Sequence, residues 1–287
     1  MSLVALVIGG AGFIGSKLCK RLLHEGFRVF CLDNYSSGST LNHVDEVVYI
    51  RGEASELASL VNFNPDLVFH LGEYSRVEQS FYDLDLVTEY NYRSIFDVVD
   101  FCKQRGAKLI YAGSSTKFGD DGLSIHESPY AWGKYVNSQY INNYAKWFGL
   151  DYATVYFYNA FGPGELRGGS YATVIGIYAH KMLNNQPLPV VSPGTQVRNF
   201  THVDDLVEGV LIVGLNGAGD GYGIGNPVAY TIIEVAEMFG GDIEFIPERP
   251  GNRKMASIVT EKTSALGWSA KKSLENYIEE LRANGWK

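Results

Sequence analysis

Short apolar runs alternate with amphipathic segments through the first half of this 287-residue chain. Six runs have the length of buried strands, and they cover residues 3–8, 28–33, 47–51, 66–71, 108–113 and 152–158. Three segments between them have apolar residues at helical spacing, and they cover residues 12–25, 84–104 and 130–148. Because strands and helices alternate, the pattern predicts βαβ crossovers and a parallel sheet with helices on both faces.

The pattern loosens after Phe161, where glycine and proline cluster in FGPGELRGG and again in NNQPLPVVSPGT. Such clusters mark loops. A further helix is predicted to begin near Asp204 or Asp205, and others cover residues 171–183, 231–239 and 274–284.

These patterns predict two interleaved units. Residues 1–160 and about 196–225 are expected to form a doubly wound α/β domain. Residues 161–195 and 226–287 are expected to form a smaller α/β lobe for the substrate.

Composition narrows the class of protein. Apolar residues make up 46% of the chain, enough for a large core, and the net charge is −8. Nucleic acid is not expected as a partner, because basic surfaces bind phosphate backbones. No apolar stretch approaches the roughly 20 residues that span a bilayer, and the first residues lack the features of a signal peptide. We therefore expect a cytoplasmic protein with no membrane partner.

The cysteines and histidines do not indicate a disulfide framework or a metal site. Cys19, Cys31 and Cys102 are odd in number and form no CxxC pair, which indicates reduced thiols in a reducing compartment. No pair of the six histidines has helical metal-ligand spacing, so no metal is expected.

A glycine-rich loop, Gly10-x-Gly12-x-x-Gly15 preceded by Gly9, follows the first strand and opens the first helix. This arrangement is typical of dinucleotide binding, because the glycines admit the pyrophosphate and the helix N-terminus offers free N–H groups to it. Asp33 ends the second strand, near the position of the acid that binds the ribose hydroxyls. Since that carboxylate would repel the extra phosphate of NADP, the sequence favours NAD.

Tyr130 and Lys134 stand four residues apart in SPYAWGKYVNS, so on a helix they share one face. An ammonium near a phenol favours the phenolate, which can take a proton from an alcohol. Ser114 or Ser115, at the end of the fifth strand, is placed to hydrogen-bond the same substrate oxygen, because parallel sheets bind ligands at the carboxyl ends of their strands.

Together these residues resemble the extended short-chain dehydrogenase/reductase family, in particular its NAD-dependent nucleotide-sugar epimerases and dehydratases, such as the UDP-glucose 4-epimerases. The resemblance runs from Val4 to about Trp268. The motifs that carry it, in the family's order, are GGAGFIG, Asp33, FHLGEYSRVEQS, Asn91, YAGSSTKFG, YAWGK, YNAFGPGE, VRNFTHVDD and RPGNR. The resemblance implies a Rossmann fold, NAD as cofactor and a nucleotide-diphosphate sugar as substrate.

The resemblance also implies roles for individual residues. The catalytic residues would be Ser114, Tyr130 and Lys134. The cofactor would be bound by Gly9, Gly12, Phe13, Ile14, Gly15, Asp33, Asn34, Glu53, Ala54, Leu71, Gly72, Tyr130 and Lys134. The substrate would be bound by Asn91, Ser114, Asn159, Arg198 and Arg249. A small residue at Ala256 would admit an N-acetyl group on the sugar.

Three functions follow as hypotheses. The first is C4 epimerisation of a UDP-hexose or UDP-N-acetylhexosamine through transient oxidation at C4. The second is a nucleotide-sugar C4 dehydrogenase or reductase, or an atypical 4,6-dehydratase. Dehydration is disfavoured because the family's dehydratases carry Thr-Asp-Glu where this chain has Ser114-Ser115-Thr116. The third is a non-catalytic NAD-sensing protein.

Two further features come from the same resemblance. The family tends to form homodimers through the helices predicted over residues 84–104 and 130–148, and both carry many aromatic residues. Glu73 is charged where the family is usually neutral, and the sequence offers no explanation for it.

Overall fold

The computed structural model of the protein describes residues 2–169, 171–248 and 257–287. Its strands are β1 (Val4–Ile8), β2 (Arg28–Asp33), β3 (Val48–Arg51), β4 (Leu67–His70), β5 (Lys108–Ser114), β6 (Tyr152–Phe157), β7 (Ala160–Phe161), β8 (Leu188–Val191), β9 (Val197–Asn199), β10 (Thr201–His202), β11 (Gly219–Ile224), β12 (Ala229–Thr231) and β13 (Ile243–Ile246). Its α-helices are α1 (Phe13–His24), α2 (Leu57–Leu60), α3 (Leu84–Val87), α4 (Ser94–Arg105), α5 (Pro129–Phe148), α6 (Val174–Leu183), α7 (Val203–Asn216), α8 (Ile232–Phe239), α9 (Glu261–Ala265) and α10 (Leu274–Ala283).

Seven parallel strands form the main sheet in the order β11-β6-β5-β4-β1-β2-β3. The central strands are apolar along their length because both faces of the sheet are covered. Val7, for example, has no exposed surface and is paired with both Cys31 and Phe69. The six strands predicted from the sequence are confirmed, and β11 is a seventh that the apolar pattern did not predict.

Helices cover both faces of this sheet, so the predicted doubly wound Rossmann fold is confirmed. On one face, Leu18 of α1 and Val210 of α7 share a buried cluster with Val7 and Trp268. On the other face, residues of α4 and α5 pack against Leu109 and the rest of that side of the sheet.

A third buried cluster lies outside the main sheet. It joins α6, α8 and α10 to β8 through large side chains, including Tyr178, Phe239, Leu188 and Tyr277. Two small sheets accompany it: β8 pairs with β13 in parallel, and β9 pairs with β12 in antiparallel. This part of the chain supplies one wall of the pocket described below.

The helix predicted over residues 84–104 is interrupted. Between α3 and α4, residues Thr88–Arg93 form a π-helical segment. The wider turn carries Asn91, which is fully buried. Such single π-segments are frequent near functional sites.

Local sequence fixes both ends of α5. The Ser128 side chain accepts a hydrogen bond from the Ala131 amide, and Pro129 occupies the first turn. Gly149 ends the helix with φ of 70°. Tyr130 therefore lies in the first turn, and Lys134 lies one turn later on the same face.

In the described part of the chain, no helix combines the length and the apolar character needed to cross a bilayer.

Glu165 ties the loop after β7 to the start of α6. Its carboxylate accepts hydrogen bonds from the Gly162 amide at 3.3 Å and from the Thr173 hydroxyl at 2.5 Å. Burial raises the pKa of Glu165 to about 7, although these hydrogen bonds oppose the shift. The folded protein thus retains a proton on Glu165 at pH values where the unfolded chain releases it.

This retention predicts a pH-dependent effect of Glu165→Gln. Between pH 4.5 and 7 the unfolded wild type loses the Glu165 proton and the folded wild type keeps it, so the wild type loses stability as pH rises. The variant has no such proton. Its free energy of unfolding relative to wild type should therefore increase across this range, by up to about 3 kcal/mol.

Urea unfolding at several pH values measures this difference. Glu237→Gln, an exposed position on α8, is the matched control, and its difference from wild type should stay flat. A flat difference for Glu165→Gln as well would mean that the buried carboxyl is ionised in the folded state throughout.

Candidate active site

The glycine loop connects β1 to α1 at the carboxyl edge of the sheet. Gly9 has φ of +85°, in the left-handed region that favours glycine. A Cβ on Gly15 would stand 2.1 Å from the Gly9 carbonyl oxygen, so helix and loop meet too closely for any side chain there. Gly12 begins α1 with no side-chain cap, and no acidic residue occupies the first turn. The N–H groups of this helix end are therefore available to an anion, which fits the pyrophosphate of NAD.

Asp33 holds the same loop from the end of β2. Its carboxylate accepts hydrogen bonds from the amides of Ala11 and Tyr35, both at 2.8 Å. Next to it, the Asn34 side-chain amide donates to Glu53 at 2.9 Å. This places the predicted ribose and adenine ligands together beyond the end of β2.

One cavity of about 670 Å³ brings together most of the residues predicted for the site. Its lining includes the predicted cofactor ligands Gly9, Gly12, Phe13, Ile14, Gly15, Asp33, Asn34, Glu53, Ala54, Leu71 and Gly72. It also includes Ser114, Tyr130, Lys134, Asn159 and Arg198. The volume is in the range of small-molecule sites.

A buried ion pair lies at the centre of this arrangement. Lys134 Nζ is 2.7 Å from Glu73 Oε2 and donates a hydrogen bond to the Ala112 carbonyl at 2.7 Å. Both side chains are almost entirely removed from solvent. Lys134 therefore has a fixed position, next to β5 and one helical turn from Tyr130.

Three more side chains surround the Glu73 carboxylate. Tyr111 donates to Oε2 at 2.8 Å, Asn137 donates to Oε1 at 3.0 Å, and His70 Nε2 lies 3.5 Å from Oε1. Burial alone would raise the pKa of Glu73, but the Lys134 ammonium and His70 outweigh it and lower the pKa below its usual value. Glu73 thus remains a carboxylate and holds the lysine.

Ser114 is the last residue of β5, and its hydroxyl oxygen already accepts hydrogen bonds. Its oxygen accepts hydrogen bonds from the Thr116 hydroxyl at 2.9 Å and the Thr116 amide at 3.3 Å. A serine hydroxyl can accept two hydrogen bonds and donate one. Thr116 therefore leaves Ser114 as a donor toward the cavity that it lines.

Asn159 and Arg198, predicted among the substrate ligands, both line the cavity. Asn159 precedes β7, and its amide donates to the Asn199 carbonyl at 2.9 Å. Arg198 lies on β9, paired with Tyr230 of β12. The short strands of the second half of the chain thus position both residues.

Asn91 requires a correction, because it was predicted among the substrate ligands. Its side chain is fully buried, accepts a hydrogen bond from the Tyr74 amide at 2.8 Å and donates one to the Tyr74 carbonyl at 3.2 Å. Asn91 supports the segment after β4 and does not touch the cavity. Arg249 and Ala256 lie outside the described residues.

Sequence reasoning missed three residues at the site. Glu73 was noticed but not explained, and Arg76 and Thr116 were not singled out. Lys117 follows Ser114 by three residues but does not line the cavity. Its ammonium turns away from the cavity and lies 2.5 Å from Asp220 Oδ2, with the Tyr156 hydroxyl at 2.9 Å.

The buried ion pair predicts strong coupling between Glu73 and Lys134. Glu73→Gln and Lys134→Met should each lower the free energy of unfolding by roughly 3–5 kcal/mol, because each leaves one buried charge without its partner. The double variant should lose much less than the sum of the two, since neither charge remains. Urea unfolding of the four proteins measures the coupling.

The matched control is the exposed ion pair of Glu89 and Arg93. The two residues are one turn apart, and their charged atoms are 2.9 Å apart. Their double-mutant cycle should give less than about 0.5 kcal/mol. Additive losses at Glu73 and Lys134 would show that the two charges do not stabilise each other.

Comparison with known proteins agrees with this geometry. UDP-glucose 4-epimerase of Mycolicibacterium smegmatis is 27% identical over 299 residues, covering 95% of this chain and 95% of that protein. UDP-glucuronic acid decarboxylase 1 of Xenopus tropicalis is 27% identical over 303 residues, covering 96% of this chain and 70% of that protein. The crystal structure of Thermus thermophilus UDP-glucose 4-epimerase in complex with NAD superposes with a TM-score of 0.86 at 27% identity, over 99% of both chains.

A family model described as the NAD dependent epimerase/dehydratase family matches residues 5–225. That range spans the glycine loop, Ser114, Tyr130, Lys134 and Arg198. The chain therefore belongs to the NAD-dependent epimerase/dehydratase family.

Proposed function

We propose that this protein is an NAD-dependent nucleotide-sugar epimerase that inverts C4 of a UDP-hexose or UDP-N-acetylhexosamine. The observation that carries the proposal is the convergence of Ser114, Tyr130 and Lys134 with the glycine loop in one cavity. The epimerase relatives in Mycolicibacterium smegmatis and Thermus thermophilus support it, since each aligns along nearly the whole chain.

NAD, when bound by the glycine loop, supplies reversible oxidation and reduction of the C4 alcohol. Tyr130 takes the C4 hydroxyl proton and returns it, acting as a general base and then as a general acid. Ser114 donates its hydrogen bond to the same oxygen, because Thr116 occupies the other side of its hydroxyl. Lys134 keeps a positive charge near the phenol, and Glu73 fixes where that charge lies.

The substrate's diphosphate is assigned to Asn159 and Arg198, and to Arg249 as implied by the family motif. A planar guanidinium fork suits phosphate oxygens. By its position in the sequence, Arg249 falls in the proposed substrate lobe of residues 161–195 and 226–287. Asn159 and Arg198 fall in the proposed cofactor domain of residues 1–160 and about 196–225, each close to its boundary with the lobe. The third buried cluster of the fold lies mainly within that lobe.

The decarboxylase among the relatives makes the reaction's outcome a matter for measurement. Glu73 is paired with Lys134, and the Ser114-Ser115-Thr116 segment contains no acidic residue. These two facts favour epimerisation over dehydration, because elimination of water needs a nearby acid or base besides Tyr130. Mass analysis separates the outcomes, since an epimer keeps the substrate's mass and a dehydrated or decarboxylated product does not.

Tyr130→Phe tests the proposed function. Wild type with bound NAD should interconvert UDP-glucose and UDP-galactose, or their N-acetylated forms, without added cofactor. The variant should turn over about 10²–10⁴-fold more slowly, because it has no phenolic proton to exchange. Chromatography of the sugar nucleotides measures the rate, and absorbance of the material released on denaturation measures retained NAD.

Tyr135→Phe, on the same helix but outside the cavity lining, is the matched control and should keep wild-type rates. Equal rates for wild type and Tyr130→Phe would exclude the proposed base. Absence of any conversion by wild type across a panel of nucleotide sugars would instead favour an NAD-sensing role.

We also propose that the protein is a cytoplasmic homodimer. All three cysteines are free thiols, which suits a reducing compartment. Large exposed side chains gather on α4 and α5. Phe96, Trp147 and Phe148 are each more than half exposed. Phe96 and Tyr140 join the two helices with ring centroids 4.6 Å apart, so this surface suits a helix-packed interface.

Phe96→Glu tests the dimer. A buried glutamate at a helix-packed interface has no partner charge, so the variant should elute as a monomer where wild type is a dimer. Size-exclusion chromatography with light scattering measures the mass. Phe245→Glu is the matched control, because Phe245 is 56% exposed and Phe96 is 53% exposed, and Phe245 lies on a different surface. This variant should remain dimeric. A monomeric wild type would contradict the proposal.

A further inference from the structure

Arg76 is a second, partly buried cation at the cavity, and the proposed reaction does not use it. It follows β4 by six residues and lines the same cavity as Tyr130. One guanidinium NH₂ donates to the Tyr171 carbonyl, and the guanidinium carbon lies 5.5 Å from the centroid of the Tyr171 ring. These contacts hold the side chain in place, but neither supplies a negative charge.

Arg76 has no acidic partner among residues 2–169, 171–248 and 257–287. Its Nε is buried and makes no hydrogen bond within those ranges. Burial lowers the pKa of Arg76, although nearby tyrosines, Tyr130 first, oppose the shift. Removing part of a cation from solvent without a counter-charge is costly to a fold, so a ligand that carries an anionic group would stabilise this side of the cavity.

Several acids that share the cavity are already engaged. Glu73 is paired with Lys134 at 2.7 Å. Asp33 accepts from two backbone amides of the cofactor loop, and Glu53 accepts from Asn34. The Glu73–Lys134 pair is neutral as a unit, so it does not oppose an anion near Arg76.

The position of Arg76 indicates which part of the ligand carries that anion. The segment that carries Arg76 is held beside Tyr130, because the Ser80 hydroxyl accepts a hydrogen bond from the Tyr130 amide at 3.3 Å and donates one to the Val77 carbonyl at 2.5 Å. In the proposed reaction Tyr130 meets the C4 hydroxyl, and in a hexose C4 is bonded to C5, which carries C6. A cation beside the C4 base is therefore within reach of C6, the carbon that is a carboxylate in uronic acids. The diphosphate is at the other end of the sugar, at C1.

We propose that Arg76 binds a carboxylate on C6, so that the site prefers a nucleotide-diphosphate uronic acid to the uncharged hexoses; this rests on the proposed C4 chemistry. Arg76 lines the cavity, and its planar guanidinium can offer two N–H donors side by side, as a fork. A carboxylate accepts such a fork through both oxygens. A neutral CH₂OH at C6 cannot balance the charge, so uncharged hexoses bind more weakly.

Calorimetric titration of the NAD-loaded protein with UDP, UDP-glucose and UDP-glucuronic acid tests the proposal. The measured quantity is the affinity for each ligand, and the comparison does not need a value for the rate of turnover. Wild type should bind UDP-glucuronic acid at least tenfold more tightly than UDP-glucose. Arg76→Gln should lose about 10- to 100-fold for UDP-glucuronic acid and change little for UDP and UDP-glucose. Arg51→Gln, at an arginine over the Tyr35 ring outside the cavity, is the matched control and should bind all three like wild type.

Two results would overturn the proposal. One is a wild type with no preference for the uronic acid, a measurement that needs no variant to fold. The other is an Arg76→Gln protein that loses affinity for UDP as much as for UDP-glucuronic acid, which would place the diphosphate on Arg76. Uronate-selective binding through Arg76 with no C4 inversion would refute the proposed function alone. Turnover of UDP-glucose without uronate selectivity would refute the assignment of Arg76 alone.

Discussion

The ion pair between Glu73 and Lys134 is the contact on which the rest of the site depends. It joins the segment after β4 to α5, and Lys134 also bonds the Ala112 carbonyl of β5. Asn137, one turn along α5, bonds both Glu73 and the backbone of the π-helical segment at Asn91. Four elements are thereby fixed around one carboxylate. Because α5 is locked at Lys134, Tyr130 in its first turn has a defined place above the end of the sheet.

The sequence was sufficient for the main sheet but not for all of its edge. Strands β1 to β6 are apolar because they are buried on both faces, and that requirement is visible in the residues themselves. Strand β11 reads GDGYGI and has neither an apolar run nor alternation. It is a strand because β6 presents unpaired backbone groups to it, which is a tertiary cause. The π-helical turn at Asn91 is equally invisible to a pattern with a period of 3.6 residues.

The same distinction applies to the site. The glycine loop and the Tyr130–Lys134 spacing were predictable because each depends on a local backbone geometry. Apart from His70, the partners of Glu73 were not, since they lie 38 to 64 residues away on elements whose relative placement is set by the fold. Asn91 was misjudged for a related reason. Its place in the sequence was right, but only the packing of the wider turn shows that its amide faces Tyr74 rather than the cavity.

Glu73 and Arg76 both follow β4, but their charges have different roles. Glu73 neutralises a cation whose position matters, so the pair contributes geometry and little net field. Arg76 has no such partner, so its field extends into the cavity of a chain whose overall charge is −8. In a protein of this charge, Arg76 gives an anionic group of the ligand one local point of attraction. Had Glu73 faced Arg76 instead of Lys134, both effects would be lost, because the lysine would be unpaired and the arginine already satisfied.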